Sequence, residues 1–244
     1  MYEGNLERPP AVAQFEATRW SLVLKAGAAD ETLRRAALEQ LCRAYWYPLY
    51  AYLRRSGRGV EDAEDLAQEF FVRLLDGRLL GVADPARGKF RTLLLSSLQQ
   101  VDADAWREAN AQKRGGCAVV VPIDSEFAEE RFLADKSEGG SPELAFDRAW
   151  AAAVMERAWA RLRESYAEKA ALFAELAPRL SGAAATGTLA EAGARLGMSE
   201  DATKQALSRM RQRLGEALKA EVAETVGSPD AVQQEMRHLL ALFS

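Results

Sequence analysis

The chain has 244 residues, 48% of them hydrophobic, with 32 Lys+Arg against 36 Asp+Glu and a formal net charge of −4. That composition suits a folded protein of one large or two small domains. No run approaches the ~18 uninterrupted apolar residues of a membrane span, and the opening "MYEGNLERPP" lacks the basic-then-apolar order of a secretory signal, so the cytoplasm is the expected location with no membrane partner.

In chain order, residues 1–17 read as an N-terminal extension, and Trp20 to Gln112 reads almost entirely as helix, with apolar residues at three- and four-residue intervals and no strand-like alternation. Leu33, Ala37, Leu41, Ala44 and Tyr45 form one apolar stripe, which Leu49, Tyr52 and Leu53 resume after Pro48; a kink or a helix boundary is expected at that proline. "RRSGRG" is a turn. "VEDAEDLAQEFFVRLLDG" then opens with acids, which suit the positive end of a helix dipole, and ends on a glycine that suits a C-cap. After a loop around "ADPARGK", the stretch "FRTLLLSSLQQVDADAWREANAQKR" reads as a long helix with a polar C-terminal half.

Between Gly115 and Pro142 the helical pattern breaks into Gly pairs, two prolines, a short β-like run and mixed charges. This stretch, 115–141, is long for a connection inside one compact domain and is expected to be a flexible linker. Ser141 followed by Pro142 marks a new helix start. Further on, Thr188 with Glu191 forms a capping box, Gly197-Met198-Ser199 a turn, and Ser199 a second cap. Ala202, Ala206, Leu207, Met210 and Leu214 then suit a core, leaving Lys204, Ser208 and Arg211 on an exposed stripe. The spacing fits a helix-turn-helix. The expected fold class is all-α, with two helical domains, 18–114 and 142–222, joined by the linker.

Residues 223–244, "SPDAVQQEMRHLLALFS" above all, read as a capped C-terminal helix that either packs back on the second domain or contacts a regulator. The single histidine, His238, lies in it, away from any arrangement of Ser, Cys or acids that would serve catalysis. Cys42 and Cys117 have no CxxC spacing, which leaves neither a disulfide framework nor a zinc site, and "KRGGC" has no phosphate-loop spacing. Neither enzymatic activity nor a metal or other cofactor is expected.

The helix-turn-helix, the linker and "EDAEDLAQEFFVRLL" together resemble the extracytoplasmic-function (ECF) group of RNA polymerase sigma factors, in the sigma-70 family, over about Thr18 to Glu221. The strongest match is Asp62 to Leu75, where the group's Asp-x-x-Gln-Glu-x-Phe pattern stands as Asp65, Gln68, Glu69 and Phe71. The resemblance implies that this helix, through Asp62, Asp65, Gln68, Glu69, Phe71 and Arg73, binds the beta-prime clamp of core RNA polymerase, and that the second domain meets the beta flap. The residues themselves allow a solvated acidic face or one that accepts hydrogen bonds from a partner's arginines.

The following helix matches the family's promoter-melting segment, which implies that Arg91, Gln99, Gln100, Asp104, Trp106, Arg107, Lys113 and Arg114 contact the minus-10 element. An aromatic with flanking cations suits stacking on single-stranded bases, although Trp106 equally suits a core. Here the chain departs from the pattern: Gln99, Gln100, Val101, Asp102 and Asp104 stand where basic and aromatic residues are expected, and two carboxylates oppose phosphate unless they face protein. In the recognition helix, where Ser208-Arg209 replaces a common His-Arg pair, the minus-35 contacts fall to Ser199, Thr203, Lys204, Gln205 and Ser208, with Arg209, Arg211, Gln212 and Arg213 beside the phosphates. The implied function is promoter-specific initiation. The alternative is a sigma-like interaction module held by an anti-sigma or other regulatory protein, with weakened DNA recognition.

Overall fold

The fold was taken from a computed structural model, which describes residues 31–75, 89–111, 125–134, 140–181, 186–226 and 228–243. Nine α-helices follow one another among the described residues: α1 (Glu31–Arg55), α2 (Val60–Leu75), α3 (Phe90–Ala111), α4 (Ser125–Ala134), α5 (Pro142–Ser165), α6 (Ala170–Leu176), α7 (Leu189–Arg195), α8 (Glu200–Ala223) and α9 (Pro229–Ala241). Short 3-10 turns flank α6, and no described residue is in a strand, so the fold is all-α.

The first helix is central because it is apolar on nearly every side. Leu41, Cys42, Ala44, Tyr45, Trp46, Leu49, Tyr50, Ala51, Tyr52 and Leu53 are all buried, and α2, α4 and α5 pack around them. Pro48 lies inside this helix and neither ends it nor divides it. A proline removes one ladder hydrogen bond. Packing offsets that loss here, and the rings of Trp46 and Tyr50 stack across the proline with centroids 5.1 Å apart.

Around α1, α2 presents Ala63, Leu66, Ala67, Phe70, Phe71 and Leu74 inward at three- and four-residue steps, and α3 adds Phe90, Leu94, Leu98 and Val101. The same core continues into Phe146, Trp150, Val154 and Ala158 of α5, Leu218 and Val222 of α8, and Leu239 of α9. It does not divide at 115–141, and within that stretch α4 docks on α1. Glu129 takes two hydrogen bonds from Arg54 and one from the Tyr50 hydroxyl at 2.5 Å, while Arg131 lies over the Tyr47 ring. The sequence concealed this helix because Gly and Pro clusters flank it and its own apolar residues form no clear stripe.

A smaller cluster gathers Leu162, Tyr166, Leu176 and Met210, with Leu207 and Leu214 against it. Thus α5 serves both cores, its last turn belonging to the second. It is also fastened to α8 by charge. Arg157 and Arg161 each lie 2.6 Å from a different oxygen of Glu221, whose side chain is 3% exposed, and Arg161 reaches Glu224 as well.

Candidate functional site

The outward face of α2 carries the acids. Asp62 and Asp65 are exposed, Gln68 and Glu69 half-buried, and neither aspartate pairs with a described residue. Phe71, by contrast, points into the core at 1% exposure and supports the face from beneath, so it is not a surface contact. Arg73 closes the far end of the face. Its Nη2 lies 2.5 Å and its Nε 3.0 Å from Glu69 Oε1, while its Nη1 lies 3.3 Å from Asp104 Oδ2 on α3.

That contact, with a second one, accounts for the unusual acids of α3. Asp102 pairs with Arg58, from the turn before α2, at 2.7 Å. Both carboxylates therefore face protein cations. Gln99 and Gln100 are exposed, and Gln99 Nε2 donates to the Tyr52 hydroxyl at 3.2 Å. Trp106 and Arg107 belong to the C-terminal half of α3, but their side chains lie outside the described residues, as do Lys113 and Arg114 altogether.

Arg91 departs from expectation. Instead of offering itself to DNA, it is half-buried between two acids, with Nε 2.5 Å from Glu235 Oε1 on α9, Nη1 bonded to Asp147 on α5, and its guanidinium 5.2 Å from the centre of the Trp150 ring. Burial by itself would lower the Arg91 pKa, but the two carboxylates outweigh it and hold the guanidinium above its ordinary range. Lys89 adds a contact of 2.5 Å to Glu235 Oε2. No sequence signal points to these partners, since Arg91, Asp147 and Glu235 are remote from one another in the chain.

The α7–α8 pair is built from caps and one close approach. Thr188 accepts from the Glu191 amide at 3.2 Å and the Glu191 carboxylate accepts from the Thr188 amide at 3.0 Å, completing the capping box read from the sequence. Gly197 takes φ +66° at the turn, and Ser199 caps α8 by accepting from the Ala202 amide. A Cβ on Gly193 would stand 2.6 Å from Thr203 Oγ1 and 2.9 Å from the Met198 carbonyl oxygen, so only glycine lets the helices approach this closely. Thr203 is accordingly fully buried, and its hydroxyl donates to the Ser199 carbonyl at 2.9 Å. It is a joint residue, which corrects its expected place among base contacts.

The outer face of α8 exposes Lys204, Gln205, Ser208, Arg209, Arg211, Gln212 and Arg213. Lys204 lies 2.7 Å from Glu200, whose carboxylate raises its pKa; Gln212 donates to Glu216; and Arg213 covers the Tyr166 ring at 5.1 Å. Arg209 and Arg211 pair with no described acid. The exposed cations Arg209, Arg211 and Arg213 gather in the middle of the helix, beyond the acids Glu200 and Asp201 of its first turn and before the buried, paired Glu221. Overall acidity thus coexists with a locally basic surface.

Among the described residues no cluster of His, Cys, Asp and Glu could hold a metal ion, and no helix is long and apolar enough to cross a membrane. No curated protein and no solved structure matches the chain. Residues 41–112, which hold most of α1 with all of α2 and α3, match the family model for Sigma-70 region 2, and this segment is therefore similar to the part of sigma-70 proteins that bears that name.

Proposed function

We propose that the protein is a cytoplasmic initiation factor of the ECF type. It binds core RNA polymerase through α2 and directs it to promoters, reading the minus-10 element with α3 and the minus-35 element with an α7–α8 helix-turn-helix. It acts without catalysis of its own. The observation that carries this reading is the match to Sigma-70 region 2 over the segment whose α2 face exposes Asp62 and Asp65 beside the half-buried Gln68 and Glu69. Carboxylates and an amide at those steps accept charge-assisted hydrogen bonds from arginines of the beta-prime clamp. The exposed Arg209 and Arg211 support contact with phosphates, and Gln205 and Ser208 contact with base edges.

Modest intrinsic DNA affinity is compatible with this role. Binding to polymerase turns DNA contact into a local event, at an effective concentration that free protein never reaches. A rival reading, an interaction module whose main partner is a regulatory protein, is favoured by one observation: Arg91, a minus-10 residue by resemblance, is occupied by Glu235 and Asp147.

Transcription from a pool of promoters with core polymerase tests the proposal. The wild type is expected to select a subset of promoters, Asp65→Ala/Gln68→Ala to lose core binding, and Lys204→Ala/Arg211→Ala to keep core binding but lose selectivity. Full selective initiation by both variants would refute the assignments, and a wild type that does not bind core polymerase would favour the interaction module.

A further inference from the structure

The charge cluster at the start of α3 is built like an anion site with the anion supplied by the chain itself. Lys89 and Arg91 flank Phe90, the first residue of α3, and both reach Glu235, whose side chain is completely buried. Arg91 also holds Asp147, which His238 meets from α9 with Nε2 3.0 Å from Oδ2. The Phe90 amide donates to the Thr225 carbonyl beyond the end of α8, so the cluster lies where α3, α5, α8 and α9 converge.

Burying a carboxylate is strongly unfavourable unless cations meet it. Burial alone would raise the Glu235 pKa, yet the hydrogen bonds from Arg91 and Lys89 outweigh it and hold the group below its ordinary value. Two cations on either side of Phe90, together with the burial of Leu239 in the main core, therefore seat α9. Two such donors, here facing two acidic groups, would equally donate to the oxygens of a phosphodiester.

We infer that Glu235, with Asp147, occupies a nucleic-acid phosphate site formed by Lys89 and Arg91, and that α9 is an internal competitor which must leave before α3 engages single-stranded DNA. The inference deepens the proposed function, on which the identity of the DNA rests. Because the competitor is tethered, it meets the site at high effective concentration and excludes dilute DNA. DNA held on polymerase competes on equal terms. The carboxylate of Glu235 is the displaceable part, since Lys89 and Arg91 belong to the start of α3 whereas Glu235 is carried by α9, which packs chiefly on α8.

The test needs no polymerase, so its failure is distinct from that of the proposed function. Fluorescence anisotropy follows a labelled single-stranded oligonucleotide of mixed sequence titrated with the full chain at low salt. Glu235→Gln is expected to bind about 5- to 10-fold more tightly than the wild type, with a salt slope steeper by about one phosphate contact. Asp230→Asn, the same change of charge at an exposed site on α9, is expected to alter affinity less than about twofold. Adding Arg91→Gln to Glu235→Gln should abolish the gain. Gln233→Pro, at an exposed position inside α9, breaks the helix without touching the cluster, should reproduce the gain, and decides the matter if Glu235→Gln fails to fold. Unchanged affinity in a folded Glu235→Gln or Gln233→Pro protein, or a gain that survives loss of Arg91, would overturn the inference.

Discussion

Arg73 on α2 holds Asp104 on α3 with one nitrogen and Glu69 on its own helix with two others. One guanidinium thus joins the face assigned to polymerase with the helix assigned to DNA. Removing it uncovers two carboxylates at once, one on each surface. Arg73→Gln should weaken capture of single-stranded minus-10 DNA by the polymerase complex about three- to tenfold, whereas Asp104→Asn should leave capture unchanged or improved. The stability cost of Asp104→Asn is expected to be below about 1 kcal/mol, because the pair is partly solvated. Anisotropy with a fork-junction oligonucleotide measures the first, and urea unfolding the second.

Gly193 is the tightest point of the α7–α8 pair. In Gly193→Ala the methyl group would meet a buried hydroxyl and a backbone carbonyl, neither of which is the free end of a long side chain. A destabilisation of about 1–3 kcal/mol is expected, the range for overpacking a filled site. A lowered urea midpoint with an unchanged slope would report it. Gly215, whose Cβ position is open, should accept alanine with no loss and with a gain in helix propensity of up to about 1 kcal/mol.

The buried Glu235 makes stability depend on pH in a defined direction. Its folded pKa lies below the ordinary glutamate range, so its ion pairs stabilise the protein above that range and are lost as pH falls through the folded pKa. Arg91, its pKa raised by the two carboxylates, remains charged throughout this window. The difference in melting temperature between wild type and Glu235→Gln should therefore be largest at neutral pH and shrink as pH falls below the ordinary carboxylate range. A difference that stays constant as pH falls would mean that the carboxylate charge does not help to seat α9.

Cys42 is buried in α1, and desolvation, reinforced by Glu39, pushes its thiol up to about 12. Only the thiolate reacts with alkylating agents. Iodoacetamide at pH 8 should leave Cys42 unmodified in the native protein and modify it once urea unfolds the chain. Peptide mapping by mass spectrometry distinguishes it from Cys117, which lies outside the described residues.

Much of this architecture was legible because it is local. The periodicity of 63–74 places Phe70 and Leu74 inside and Asp65 outside, and the caps at Ser141, Thr188, Ser199 and Ser228 all act as hydrogen-bond acceptors for amides three residues on. What remained hidden is non-local. Asp102 and Asp104 look hostile to DNA until Arg58 and Arg73 are seen beside them, and nothing in the neighbourhood of Arg91 announces Glu235. Thr203 was misplaced for a subtler reason: its position in α8 suits either a base contact or a joint, and the tight approach at Gly193 selects the joint. The course of α1 through Pro48 likewise depends on neighbours that supply burial, which no window of the sequence around that proline contains.

The central claim is that α2 is a polymerase-docking helix, and a direct measurement is equilibrium binding of the labelled protein to core RNA polymerase. Loss of two charge-assisted or polar contacts at about 1–3 kcal/mol each predicts that Asp65→Ala/Gln68→Ala weakens binding by at least about 30-fold. Lys204→Ala/Arg211→Ala, at exposed positions on α8 rather than on α2, should bind core polymerase as the wild type does. Equal affinity of the wild type and Asp65→Ala/Gln68→Ala for core polymerase, or no binding by either, would contradict the account.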